Sequence, residues 1–309
     1  MPKLGDIRIG ISGWRYKPWR GVFYPQGLPQ KRELAFAAEN FRSIEINGTF
    51  YSLQTPSSFE RWAAETPDDF VFAVKGPRYI THMLKLKNID AALANFFASG
   101  IFRLGEKLGP ILWQLPPNFS FDPKRFESFF KLLPRDTEEA AAIASRHEKW
   151  LTKTHTDTQP RATTKLRHAL EIRHPSCLVK EFVALLRAYK IALVCADTVE
   201  WPRCMDVTSD FIYVRLHGSE VLYVSGYDDK SLDVWAERVV AWASGNQPTD
   251  ADSKWIVDSA PRKRATRDVY VYFDNDAKVR APFDAKNLIA RVGRIIPMRT
   301  RIRKNSSWT

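Results

Sequence analysis

At 309 residues the chain is too long for one small sandwich and suits a (β/α)₈ barrel with insertions or two ordinary domains. With 44% hydrophobic and 27% charged residues it is neither a disordered nor a fibrous polymer, and no apolar run approaches the roughly 20 residues that span a bilayer. The formal net charge of +12 raises the possibility of nucleic acid as a partner. Much of that excess falls in three windows: residues 142–168 hold six bases against two acids, 246–268 five against four, and 294–309 five bases alone. Such windows are usually solvated surface.

The N-terminal MPKLGDIRIG enters a strand without the apolar core of a signal peptide, so a soluble, cytoplasmic protein without a membrane partner is expected. Short β-branched runs bounded by turn residues then recur at 7–14, 43–51, 70–77, 111–117, 168–175, 192–198, 211–218 and 269–276. Helical patterns with start signals lie between them. Thr55-Pro56, Asn88, Asp122-Pro123, Ser231 and Ala281-Pro282 open five, and Gly245 and Gly293 mark the ends of the last two. The stretch VEWPRCMDVTS between strands six and seven is too short for a helix, leaving a degenerate crossover, and residues 136–168 read as a polar insertion before strand five.

Strands alternating with helices imply a parallel sheet, and eight such units imply an α/β fold, a closed (β/α)₈ TIM barrel, over residues 1–293. A two-domain split is the competing arrangement. Residues 246–268 form a second insertion, and 294–309 a basic, disordered tail. The three cysteines, Cys177, Cys195 and Cys204, contain no C-x-x-C pair and read as buried apolar groups.

Residues two apart on a strand share a face, so each strand of a barrel has a helix-facing set and a lumen-facing set. In SIEINGTFY (43–51), Ile44 and Ile46 pack outward, leaving Ser43, Glu45 and Asn47 for the lumen. By the same division Glu171 and Arg173 point inward from strand five, and Tyr213, Arg215 and His217 from strand seven. Lys75, Gln114 and Asp197 end the inward sets of strands three, four and six, while strand eight ends on Asp274 or Asn275. These groups lie at the C-terminal ends of their strands, where barrel active sites are built. Buried charges need partners or solvent, so the ring predicts either a ligand pocket or a compensated ion-pair core.

The motifs GISGW (10–14), EINGTFY (45–51), VKGPRYITH (74–82), WQLPPNF (113–119), EIRHPS (171–176), VRLHG (214–218) and YFDNDAKVRAPFDA (272–285) resemble those of the YecE-like TIM-barrel proteins, a family of unknown function. The resemblance implies a (β/α)₈ fold related in shape to the endonuclease-IV and sugar-isomerase barrels, without implying a reaction. Gly48 departs from the serine more usual in that family.

Arg presents a fork of donors matched to phosphate or carboxylate, so Lys75, Arg173 and Arg215 around one mouth suggest a small anionic ligand. Glu45 and Glu171 are candidate acid and base, with His217 the group whose reference pKa lies nearest neutrality. Ser12, Asn47, Gln114, Asp197 and Asn275 are candidate polar contacts; Trp14 and Tyr51, with Tyr223 or Tyr227, are candidate stacking surfaces. No cofactor is expected. With six histidines in all, a multinuclear zinc cluster is unsupported, although one Mg²⁺ or Mn²⁺ on Glu45, Glu171 and Asp197 would be chemically reasonable. P-loop, dinucleotide and G-x-S-x-G signatures are missing. Lys75 as a Schiff-base lysine competes with Lys75 as a charge partner, and flanking acids and arginines favour the second. Three functions follow: an enzyme acting on an anionic molecule, including a nucleotide or nucleic-acid fragment; a non-catalytic nucleic-acid binder; and a sugar isomerase or lyase. Oligomeric state is not legible.

Overall fold

The computed structural model describes residues 3–296. Eight parallel strands close in sequential order into a barrel: β1 (Ile7–Ser12), β2 (Ser43–Ile46), β3 (Val71–Lys75), β4 (Leu108–Gln114), β5 (His168–Glu171), β6 (Ala192–Asp197), β7 (Phe211–Leu216) and β8 (Asp268–Phe273). Closure is made by β8, which pairs with β1 from Ile7↔Val269 to Ile11↔Phe273 and with β7 over its whole length. The outer ring comprises α1 (Glu33–Asn40), a short α2 (Gly48–Tyr51), α3 (Pro56–Ala64), α4 (Asp90–Ala98), α5 (Pro123–Leu132), α6 (Thr137–Ala144), α7 (Lys180–Tyr189), α8 (Asp229–Ala243) and α9 (Arg280–Ile295). Among the described residues no helix is long and apolar enough to cross a membrane.

Local chemistry sets the helix starts. Thr55 accepts a hydrogen bond from Ser58 N at 3.3 Å ahead of Pro56, and Asp122 accepts from Arg125 N at 3.1 Å ahead of Pro123. Two expected starts differ. Asn88 is in the left-handed region (φ 50) and α4 begins two residues later, whereas Asp228 rather than Ser231 caps α8, accepting from Ser231 N at 2.7 Å. The final helix continues past Gly293 to Ile295; residues 297–309, most of the expected tail, lie outside the described residues.

Strand two is also shorter than its composition suggests. Asn47 turns into helical geometry (φ −84, ψ −24), and Thr49 Oγ1 donates to Ile46 O and Lys75 O at 3.0 and 2.7 Å. That hydroxyl ties the turn Gly48–Tyr51 across the ends of β2 and β3, overriding the strand propensity of Thr-Phe-Tyr. Between β6 and β7 no helix forms. Thr208 Oγ1 instead donates to Ile191 O at 2.6 Å and accepts from Leu193 N at 2.8 Å, while Asp206 accepts from the backbones of Ile256 and Val257 in the 246–268 insertion.

Two apolar layers result. The larger lies between sheet and helices and includes Ile44, Ile46, Trp113, Phe129 and Trp242. Within the lumen, Ala73, Ala169, Ala192 and Ala196 face Phe211, Tyr213, Tyr270 and Tyr272, so aromatics from β7 and β8 fill a space that small residues of the other strands leave. Each such ring removed from water contributes about 1.5–3 kcal/mol. At Gly10, β1 and β2 approach so closely that a Cβ would lie 1.8 Å from Ser43 O. The lumen therefore has an apolar floor, and polar side chains occupy its C-terminal end.

Candidate active site at the barrel mouth

Arg215, wholly buried at the end of β7, is the hub of that polar layer. Its Nη2 donates to Glu45 Oε1 at 2.9 Å and to Asp274 Oδ2 at 2.7 Å, its Nη1 to Glu171 Oε2 at 2.7 Å, and its Nε to Glu45 Oε2 at 3.2 Å. Carboxylates from just after β8 and from β2 and β5 thus converge on one guanidinium. Further contacts complete the ring. Nη2 lies 3.2 Å from Ser12 Oγ, Nη1 3.5 Å from Gln114 Oε1, and Tyr213 OH donates to Glu45 Oε2 at 2.6 Å. Ser12 Oγ also donates to Glu45, and Asn47 Nδ2 donates to Ser12 Oγ at 2.9 Å.

Charge compensation sets the protonation states. Burial pushes Glu171 and Asp274 up, but Arg215, with Arg173 or His217 and Lys75 behind it, outweighs burial and holds both well below the usual carboxylate range. Asp276 goes the other way: burial and neighbouring Asp274 push its carboxyl far up. Burial also raises Tyr16, whose hydroxyl donates to Ser12 O at 2.6 Å and adjoins Asp276. Burial and Arg215 lower His217. Trp201 and Tyr223 hold that ring edge-on, each with centroids 5.4 Å away. His217 Nδ1 is 3.1 Å from Asp274 Oδ2 and Nε2 is 3.9 Å from Glu171 Oε2, yet neither nitrogen makes an aligned hydrogen bond.

The cations of the mouth are unequal. Arg173 Nε donates to Glu171 Oε1 at 2.8 Å, and its guanidinium stacks 3.9 Å over Trp201. Lys75 has its Nζ 4.3 Å above the Phe50 ring, and among the described residues no carboxylate lies within ion-pair distance of it. Burial and then Arg215 bring its pKa down to about 8. Beside it, burial with Arg173, Lys75 and Arg78 depresses His82 to about 4. An anionic layer centred on Arg215 therefore lies next to a cationic edge formed by Lys75, Arg173 and Arg78.

Glu45, Asn47, Lys75, Gln114, Glu171, Arg173, Arg215 and His217 are brought together as the parity argument expects, and Ser12, a candidate polar contact, joins them. Four candidates are placed otherwise. Asp197 pairs in register with outward-facing Leu216 and forms an ion pair with Arg203 at 2.9 Å; it lines a separate cavity of about 620 Å³ with Lys254 and Trp255. The trio Glu45, Glu171 and Asp197 is thus not assembled as a metal site, and among the described residues no three His, Cys, Asp or Glu side chains are grouped to hold an ion. Asn275 turns to Asp284 Oδ2 (2.8 Å) and Ser225 O (3.0 Å); Asp274, on the parity of Tyr270 and Tyr272, is the inward residue. Trp14 is buried edge-on against Trp62, with centroids 5.3 Å apart, and Tyr51 is 70% exposed; both line a cavity of about 350 Å³ with Tyr16, Asn47 and Gln54. Tyr16, Trp201 and Asp276 come from loops, where no strand parity pointed to them.

A closed parallel barrel whose C-terminal mouth gathers ionisable groups from separate strands belongs to the architectural class of TIM-barrel proteins. The family model "Protein of unknown function DUF72" matches residues 8–305, and the chain belongs to that family. It is 31% identical over 113 residues to the UPF0759 protein YecE of Escherichia coli K12 and 30% identical over 118 residues to the UPF0759 protein YunF of Bacillus subtilis. Each match covers 37% of this chain and about two fifths of the relative, 39% and 41% respectively. A crystal structure of a DUF72 family protein from Thermotoga maritima superposes with a TM-score of 0.67 at 25% identity, covering 92% of this chain and 98% of that one. One from Enterococcus faecalis gives 0.62 at 16% identity over 93% and 95%, a likeness of fold.

Proposed function

We propose that the barrel mouth binds a small phosphate- or carboxylate-bearing molecule on Lys75 and Arg173 and acts on it by proton transfer. The observation that carries this reading is the division of charge. Arg215 satisfies Glu45, Glu171 and Asp274, whereas Lys75 is left without a carboxylate partner at the edge. A desolvated ammonium without a counter-ion favours an anion more strongly than one in bulk water. Arg173 adds a donor, since its Nη1 makes no hydrogen bond to the described residues. On this reading Glu45 and Glu171 orient Arg215. The proton-transfer groups are Lys75, His217 and Asp276: burial lowers the first two and raises the third, moving Asp276 apart from Asp274 in the manner of an acid–base pair.

Two rival functions have less support. Three of the six Lys and Arg side chains in residues 136–168 are engaged by acids, as Arg161–Glu60, Lys165–Asp210 and Arg167–Asp268, which weakens the case for a nucleic-acid surface there. A neutral sugar would leave Lys75 uncompensated. The test is calorimetric titration of the full chain with inorganic phosphate, pyruvate, adenosine monophosphate and glucose. Anion affinity should fall at least tenfold in Lys75→Gln and decline in the wild type as the pH rises through about 8, where the ammonium is lost. Anion binding indifferent to both, or binding of glucose alone, would refute the proposal.

A further inference from the structure

We infer that Lys75 is an amine nucleophile that condenses with the carbonyl group of its ligand to form an imine. The inference rests on the anion reading for the ligand's charge, though not for the covalent step. A lysine retained as a structural charge partner sits on a carboxylate, which holds it protonated. Here the carboxylates are engaged by Arg215 and Arg173, while Lys75 Nζ rests on the face of Phe50 at 4.3 Å. Lys75 is 7% exposed, ends β3, and has its own carbonyl oxygen fixed by Thr49 Oγ1 at 2.7 Å, so the strand end that carries the amine is anchored. With the pKa near 8, about a tenth of the amine is unprotonated at pH 7.

The step balances within the ring. After Lys75 sheds one proton, its nitrogen lone pair forms the C–N bond while the carbonyl π pair moves to oxygen, which takes up a proton. The nitrogen, now cationic and without a free pair, sheds a second proton; the hydroxyl takes up a second proton in turn and leaves as water as the freed nitrogen pair forms C=N. The sum of ammonium and carbonyl is iminium and one water, with no oxidant or reductant. An iminium carries the same single positive charge as the ammonium it replaces. Glu45, Asp274 and Glu171, which act on Lys75 from beyond ion-pair distance, act on both alike. The group drawing electrons from the substrate's adjacent bond is then the iminium.

The experiment is borohydride trapping on the full chain with pyruvate, dihydroxyacetone phosphate or acetone, read by intact mass and peptide mapping. Lactate and glycerol 3-phosphate, which lack the carbonyl, are titrated calorimetrically in parallel. The expected result is a reduced adduct on Lys75 at least tenfold above any other lysine, stronger with the anionic carbonyls, and abolished in a folded Lys75→Arg. Adducts scattered over surface lysines with Lys75 unmodified would overturn the imine, and Lys75-dependent binding of lactate or glycerol 3-phosphate would then leave the anion reading standing alone. Equal trapping of acetone and pyruvate at Lys75 would support the amine chemistry and remove the anion reading. If Lys75→Arg fails to fold, the wild-type peptide map decides the matter by itself.

Discussion

Replacing Arg215 by methionine preserves much of the side-chain volume and removes the charge on which Glu45, Glu171 and Asp274 converge. Deleting one partner of a buried pair costs about 3–5 kcal/mol, and the three carboxylates here place Arg215→Met near the upper end, with a fall in melting temperature on the order of 10 °C. The pH dependence is the sharper readout. In the wild type Glu171 and Asp274 are held below the ordinary range, so their contribution to stability is complete above an unfolded pKa of about 4 and is lost as the pH falls through the folded values. Without Arg215, Glu171 keeps its ion pair with Arg173, whereas burial, the largest influence on Asp274, pushes that carboxyl above the unfolded value. The folded state then binds more protons than the unfolded one, and the variant gains stability as the pH drops from 7 towards about 4. Urea unfolding at pH 5, 6 and 7 measures this, and Asp274→Asn in the Arg215→Met background should restore part of the loss. A loss below about 1 kcal/mol, or wild-type and variant curves parallel across that range, would refute the electrostatic account.

Two other predictions concern the frame. Burial pushes the thiols of Cys177 and Cys204 up to about 12 and raises Cys195 as well, so none should react with Ellman's reagent at pH 8 in the native protein and all three should in denaturant; a fast native thiol would contradict the packing. Gly10→Ala should destabilise the barrel by more than about 3 kcal/mol, because the added carbon meets backbone that belongs to the next strand, and an unchanged urea midpoint would show that β1 and β2 can separate at little cost.

The ring of inward residues on β2, β5 and β7 was legible because those strands alternate apolar and polar side chains, and the alternation fixes parity. Strand six lacks that signal. Ala192, Val194 and Ala196 line the lumen while Leu193 and Cys195 pack outward, so both faces are apolar and the terminal Asp197 misleads. At β8 the tie between Asp274 and Asn275 is settled by α9, whose Asp284 takes the amide of Asn275. The reading of residues 43–51 as one strand failed at Asn47 because a hydroxyl contact to Lys75 O, nonlocal in sequence, stabilises the turn. Tyr16, Trp201 and Asp276 reach the mouth from loops, for which periodicity carries no information.

Closure by the last strand governs how this protein is made. As the chain leaves the ribosome, Arg215 is synthesised 59 residues before Asp274, and β1 waits for its second neighbour until β8 emerges. A nascent chain released early has two unpaired edges of parallel sheet and a guanidinium with an incomplete set of counter-charges. Premature termination therefore yields a species prone to edge-to-edge association rather than a smaller working barrel.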